Sequence, residues 1–209
     1  MSAIFKNKKK NIENSLKLSA YEHKIWKLSR QLQKHQEALQ KLMVFNNDRR
    51  SIIYSYPMDN HFWIITVECL YNHQKRLTQL KFELYDLLDK HPVDRFQGQL
   101  WMDVLYTKEL KAKGSRLKGF WIYEFKTLVK NKGYGSLLLS EALWYISQHF
   151  GTSIEFKGWL SFVDERDPEN HARRDHVYQK FGFEIDGEYA YLRGILLDKL
   201  ATERAKRNS

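Results

Sequence analysis

Phe125-Lys126-Thr127-Leu128-Val129-Lys130-Asn131-Lys132-Gly133-Tyr134-Gly135-Ser136 carries the reading of this chain. An aromatic and aliphatic strand pattern runs into a basic, glycine-spaced turn and straight on into an apolar helix pattern from Gly133 to Phe150. Glycines at such a turn let backbone amides approach an anion closely. The first helical turn adds N–H groups without intrahelical partners at the positive end of the dipole. A diphosphate would suit this layout.

Two common phosphate cradles fail on spelling. The nucleotide P-loop needs Gly, four residues, then Gly-Lys-Ser/Thr, which is absent, and the dinucleotide fingerprint needs a third glycine where Leu138 stands. What remains, Lys130-Asn131-Lys132-Gly133-Tyr134-Gly135, resembles the acetyl-coenzyme A signature Arg/Gln-x-x-Gly-x-Gly/Ala of the GNAT superfamily of N-acetyltransferases. Lys130 replaces the usual Arg or Gln, keeping the charge but not the planar fork.

Downstream, Asn170-His171-Ala172-Arg173-Arg174-Asp175-His176-Val177-Tyr178-Gln179-Lys180-Phe181-Gly182-Phe183 resembles the same family's Asn-x-x-Ala-x-x-x-Tyr-x-x-x-Gly-Phe segment. Tyr178, Gly182 and Phe183 fall in register. Asn170 lies one residue farther from Tyr178 than in the usual spelling, and Arg174 stands where a small residue is usual. The resemblance covers residues 118–196 by motif, residues 50–117 by texture only, and the N-terminal helix not at all.

The resemblance implies an α/β (α+β) domain with a mixed sheet, and transfer of an acetyl or similar acyl group from acetyl-coenzyme A to an amine. The route is direct attack in a ternary complex, with no metal. It implies that the strand ending near Phe125 and Lys126 pairs its backbone with the pantetheine arm. The amides of Lys130, Asn131, Lys132, Gly133, Tyr134, Gly135 and Ser136 would then hold the diphosphate, with Asn170 as a further coenzyme contact. Tyr178 takes the place of the general acid that returns a proton to the departing thiolate; a phenol near pKa ~10 and a thiol near ~8.5 are close enough for that transfer. Glu124 is the preferred general base, with Glu68 and Asp103 on earlier strands behind it. The competing reading is a non-catalytic GNAT-like binding protein whose basic helix contacts nucleic acid or a protein partner.

Other residues are read as structural. Trp121, Tyr123 and Phe125 alternate on one strand face and suit a core or a pantetheine wall better than a nucleic-acid stacking platform. His171 and His176 stand i, i+5 apart, which does not bring two metal ligands to one helix face. Cys69, the only cysteine, has no histidine assigned to it as a nucleophile's partner and allows no intramolecular disulfide.

Ahead of the catalytic region, Leu18, Tyr21, Ile25, Leu28, Leu32, His35, Leu39 and Leu42 recur in alternating steps of three and four. That is a heptad seam, the pattern of a helix holding a narrow stripe against a partner helix. Homodimerisation through residues 18–42 and folding back onto the catalytic domain both remain open. The net charge of +10 is concentrated here: residues 1–50 hold 12 Lys and Arg against 4 Asp and Glu. Such a front end could steer the chain to an anionic partner, but a solvated basic tail and helix face is the favoured reading, since charge runs are usually no more than this. Nucleic acid is therefore a disfavoured partner.

Hydrophobic residues make up 43% and aromatics 14% of the 209 residues, a folding composition. No run of 18 apolar residues occurs, which argues against a membrane span, and the reading is a cytoplasmic protein. The expected division is 1–46 basic tail and heptad helix, 47–200 acyltransferase domain, and 201–209 basic tail. Strands are expected over 51–56, 61–71, 99–106, 118–128 and 153–163, with one or two more over 183–196. Helices are expected over 133–150 and 171–181, and the second half of residues 75–90 leans to helix. Asn46-Asn47-Asp48 reads as a turn.

Overall fold

The computed structural model describes residues 2–45, 50–58, 61–89, 95–107, 116–160 and 168–208, with side chains from residue 16 onward except those of residues 44, 58, 168, 207 and 208. The expected turn at 46–48 lies outside them. The chain divides into two units, residues 1–43 and 44–209, three residues ahead of the expected boundary.

The first unit lies in helix α1, Ser2–Phe45. It begins at Ser2, so the stretch read as a basic tail is helical. Leu18, Tyr21, Ile25, Leu28, Leu32 and Leu39 are all exposed by more than half.

The second unit is built on eight strands: β1 Arg50–Met58, β2 His61–Tyr71, β3 Leu77–Asp86, β4 Gly98–Tyr106, β5 Leu117–Thr127, β6 Glu155–Trp159, β7 Glu184–Asp186 and β8 Tyr189–Arg193. They form one mixed sheet in the order β1-β2-β3-β4-β5-β6-β8-β7. Every pairing is antiparallel except β5 with β6. A parallel pair needs a crossover, and helix α2, Tyr134–Phe150, supplies it. Helix α3, Pro168–Lys180, and helix α4, Leu197–Asn208, complete the unit.

Residues 77–86 are strand throughout, so the lean to helix for the second half of 75–90 is corrected. Leu80 and Leu84 fit both periods, but pairing with β2 on one side and β4 on the other fixes the period of two. The supposed tail after residue 200 is corrected too, since α4 runs to Asn208. It is anchored by Leu200 in the core and by Arg204, whose guanidinium reaches the buried Glu141 carboxylate at 3.2 Å and lies over Trp144.

One sheet face carries the core. Leu80, Phe82, Leu84, Leu100, Met102, Phe120, Ile122 and Phe156 meet Leu138, Leu139, Ala142, Leu143 and Ile146 of α2. Each such side chain contributes about 1.5–3 kcal/mol by leaving water. Among the described residues no helix is long and apolar enough to cross a membrane.

Candidate functional site

β5 and β6 pair over only four positions, Gly119 with Glu155 through Ile122 with Gly158. Gly119 allows this approach: a Cβ there would stand 2.2 Å from the Glu155 carbonyl oxygen. Beyond Ile122, β5 continues through Tyr123–Thr127 with β4 as its only strand partner among the described residues. About 17 Å of β5 edge is thus left facing a slot between the two strands, at 3.3–3.4 Å per residue. Parallel strands with a crossover helix favour ligands outside their carboxyl ends, and this slot lies there.

The glycine turn closes the open end of the slot. Asn131 and Gly133 both adopt left-handed backbone, φ 58° and 73°, which turns the chain sharply out of β5. Gly133 is the N-cap of α2 and no side chain caps the helix, so its first-turn amides are available to an anion. Lys130 and Lys132 are exposed around the turn. Gly135 has no such backbone requirement. A Cβ there would meet Phe125 Cζ at 3.5 Å, Thr127 at 3.8 Å and Val177 at 3.9 Å, which places it at the throat between β5, α2 and α3.

A bulge in β5 sets what each face of the slot presents. Trp101 pairs with Glu124 while the next residue, Met102, pairs with Ile122, so Tyr123 is the extra residue. The alternation therefore reverses. Phe120 and Ile122 lie in the core, and after the bulge Phe125 and Thr127 also face the helices. The grouping of Trp121, Tyr123 and Phe125 on one face is corrected: Phe125 packs edge-on to Tyr178 at 5.7 Å, whereas Tyr123 meets Trp101 and Trp121 meets Tyr189 on the outer face. A bulge leaves no mark in hydrophobic periodicity until the partner strand is known.

Tyr178 is buried, its ring held between Phe125 and Phe183. Its hydroxyl oxygen would lie 3.4 Å from a Cβ on Gly158, the last residue of β6 paired with β5. The phenol thus stands where the slot begins to open. Glu124 lies on the opposite, outer face. Its carboxylate accepts a hydrogen bond from Gln99 Nε2 at 2.6 Å and pairs with Lys126 Nζ at 2.5 Å. Asn170 turns its amide oxygen to Arg173 of the same helix at 2.6 Å. The fold therefore brings together Phe125, the glycine turn and Tyr178, while Glu124 and the Lys126 side chain sit across the sheet. Burial first, then the Asp103 and Glu124 charges, raise the Tyr123 hydroxyl pKa.

A second concavity escaped the sequence reading. At the same end of the sheet, His61, Trp63, Asp86, Leu88, Asp89, Gln97 and Tyr134 line a hollow of about 360 Å³. His61 Nδ1 lies 2.6 Å from Asp86 Oδ2, while Asp86 Oδ1 accepts the amides of Phe62 and Leu88, both at 3.0 Å. A carboxylate accepts, so Nδ1 is the donor and the contact orients the imidazole. Trp63 bridges His61 to Tyr134, the first residue of α2. Burial, and secondarily the Asp86 charge, raise the Tyr134 pKa. His61 and Asp86 stand 25 residues apart, so no spacing rule pairs them before β2 and β3 are in register.

Compared with models of known protein families and with curated proteins, the chain matches none.

Proposed function

We propose that residues 44–209 form a GNAT-like acyl-coenzyme A-dependent N-acyltransferase. The observation that carries this reading is the parallel pair β5–β6 parting after four positions, with the uncapped glycine turn of α2 at its open end. An extended amide-bearing arm can pair with the exposed edge of β5 while its diphosphate rests on the amides of 130–136. The acceptor amine attacks the thioester carbonyl; a C–N bond forms, the C–S bond breaks, the amine loses a proton and the thiolate gains one. Tyr178, at the start of the slot, is the proton donor in this reading, and Glu124, on the outer face from which an acceptor would enter, is the candidate base.

The test is thermal unfolding with and without acetyl-coenzyme A, followed by an acceptor screen that detects free coenzyme A. Ligand at 100 times its dissociation constant adds about 2.7 kcal/mol. No shift at millimolar ligand refutes the reading, whereas binding without turnover of any amine reduces it to a coenzyme-binding protein.

A further inference from the structure

The outer sheet face at the slot carries two donors that meet no acceptor among the described residues. On β3, β4 and β5 its carboxylates are all engaged: Glu83 by Lys81, Arg50 and the Tyr85 hydroxyl, Asp103 by Gln79, and Glu124 by Gln99 and Lys126. Two donors on the same face are not. The indole N–H of Trp101 is buried with no hydrogen-bond partner among the described residues, which folded proteins rarely leave so. Lys157, half-buried on β6, meets only rings among the described residues: its ammonium lies 3.9 Å from the Tyr189 ring centroid and 5.2 Å from those of Trp121 and Tyr191.

Position makes these donors relevant to the slot. Lys157 pairs with Trp121 one step before the last paired position, and the next outer-face residue along β6, Trp159, is 46% exposed. Trp101 packs on Tyr123, the bulged residue at the opening. A ligand entering from this face meets aromatic walls and, on Lys157, an ammonium that pairs with no carboxylate among the described residues. Its complement is a molecule rich in acceptors.

We propose that the acceptor amine carries an anionic group, a carboxylate or a phosphate, which Lys157 pairs while the rest of the molecule lies on the rings around Trp159 and Tyr189. The inference rests on the acyl-transfer reading of the slot, because only that reading makes the outer face the acceptor's entrance. The aromatic cage positions the ammonium: cation–π contact holds it in place without neutralising it, leaving its charge for the ligand.

Two matched pairs of probes test this. L-phenylalanine and phenethylamine differ by a carboxylate, and glucosamine 6-phosphate and glucosamine by a phosphate. Each is titrated by calorimetry into the full-length protein without coenzyme, and each is then offered as acceptor with acetyl-coenzyme A. The anionic member of at least one pair should bind tenfold or more tightly than its neutral counterpart, and which pair does so assigns carboxylate or phosphate. Lys157→Met, which keeps an apolar stem on the rings, should abolish that preference with acetyl-coenzyme A affinity unchanged, and Lys157→Arg should retain it. Neutral amines binding as well in both pairs, no probe binding at all, or a preference that survives Lys157→Met would each overturn the proposal. Because calorimetry needs no coenzyme, failure of the acyl-transfer reading would show separately, as absence of acetyl-coenzyme A binding.

Discussion

Gly135→Asp separates a ligand seat from an ordinary turn. Gly135 has no positive φ, and a Cβ there makes only van der Waals contact, the nearest atom being Phe125 Cζ at 3.5 Å. The folded chain alone therefore gives no reason for glycine, and alanine would even favour the helix by up to about 1 kcal/mol. An aspartate carboxylate at this throat would lie within about 4 Å of a phosphate charge held by the first turn of α2. At an effective dielectric of about 20 that repulsion is about 4 kcal/mol, roughly a thousandfold in affinity. The assay is thermal unfolding. For the native chain at 100 times the dissociation constant, about 2.7 kcal/mol of added stability corresponds to a rise of about 5–11 °C at this chain length. The same ligand concentration would add less than about 0.1 kcal/mol to the Asp variant. Gly135→Ala without ligand should unfold at or above the native temperature. An Asp variant that keeps the native shift would show that the diphosphate does not sit here, and an Ala variant that unfolds early would show that Gly135 is structural.

Gly119→Ala should be far more damaging, because its Cβ would meet backbone 2.2 Å away at Glu155; the expected loss in urea denaturation is at or above the ~1–3 kcal/mol of overpacked cores, and a loss under 1 kcal/mol would contradict the β5–β6 register. Tyr178→Phe keeps the ring between Phe125 and Phe183, so kcat should fall by ~10²–10⁴ with unchanged coenzyme affinity if the hydroxyl donates the proton; an unaltered kcat would leave Tyr178 a packing residue. Ile25→Lys with Leu32→Lys changes two exposed seam positions; if the heptads pair with a second copy, sedimentation should show a dimer in the native chain and a monomer in the variant, and a surviving dimer excludes the seam. Burial of Glu203 alone would raise its pKa, but hydrogen bonds from Lys180 and Lys206 outweigh this and lower it. A carboxylate with a lowered folded pKa stabilises above its unfolded value of about 4.3 and loses that stability as the pH falls through the folded value. Acid unfolding of Glu203→Gln should therefore depend less on pH below about 4 than that of the native chain; identical profiles would discount the contact.

Local pattern made the glycine turn, helix 134–150 and the heptad helix legible, because each is written in adjacent residues: left-handed turn chemistry, a 3.6-residue period, a 3.5-residue period. The same holds for most strands. Residues 77–86 were misread because Leu80 and Leu84 satisfy both periods, and only neighbours on both sides choose between them. The helix beyond Leu200 is hidden in the sequence because its residues there are mostly charged or polar, and its hold on the domain through Arg204 and Glu141 exists only across elements.

By itself, the sequence determined that a glycine-spaced helix start follows an apolar strand, the pattern on which the proposal of an anion site rests. Tertiary structure alone decided which strand lies beside β5, where the two part, and how the bulge at Tyr123 sends Phe125 inward and keeps Glu124 outward. It also decided the meeting of His61 with Asp86 and of Lys157 with its three rings. The physical reason is common to all of these. Side-chain direction along a strand is fixed by period, but contact across strands is fixed by register, and register is settled by burial of a whole sheet face rather than by any run of neighbouring residues.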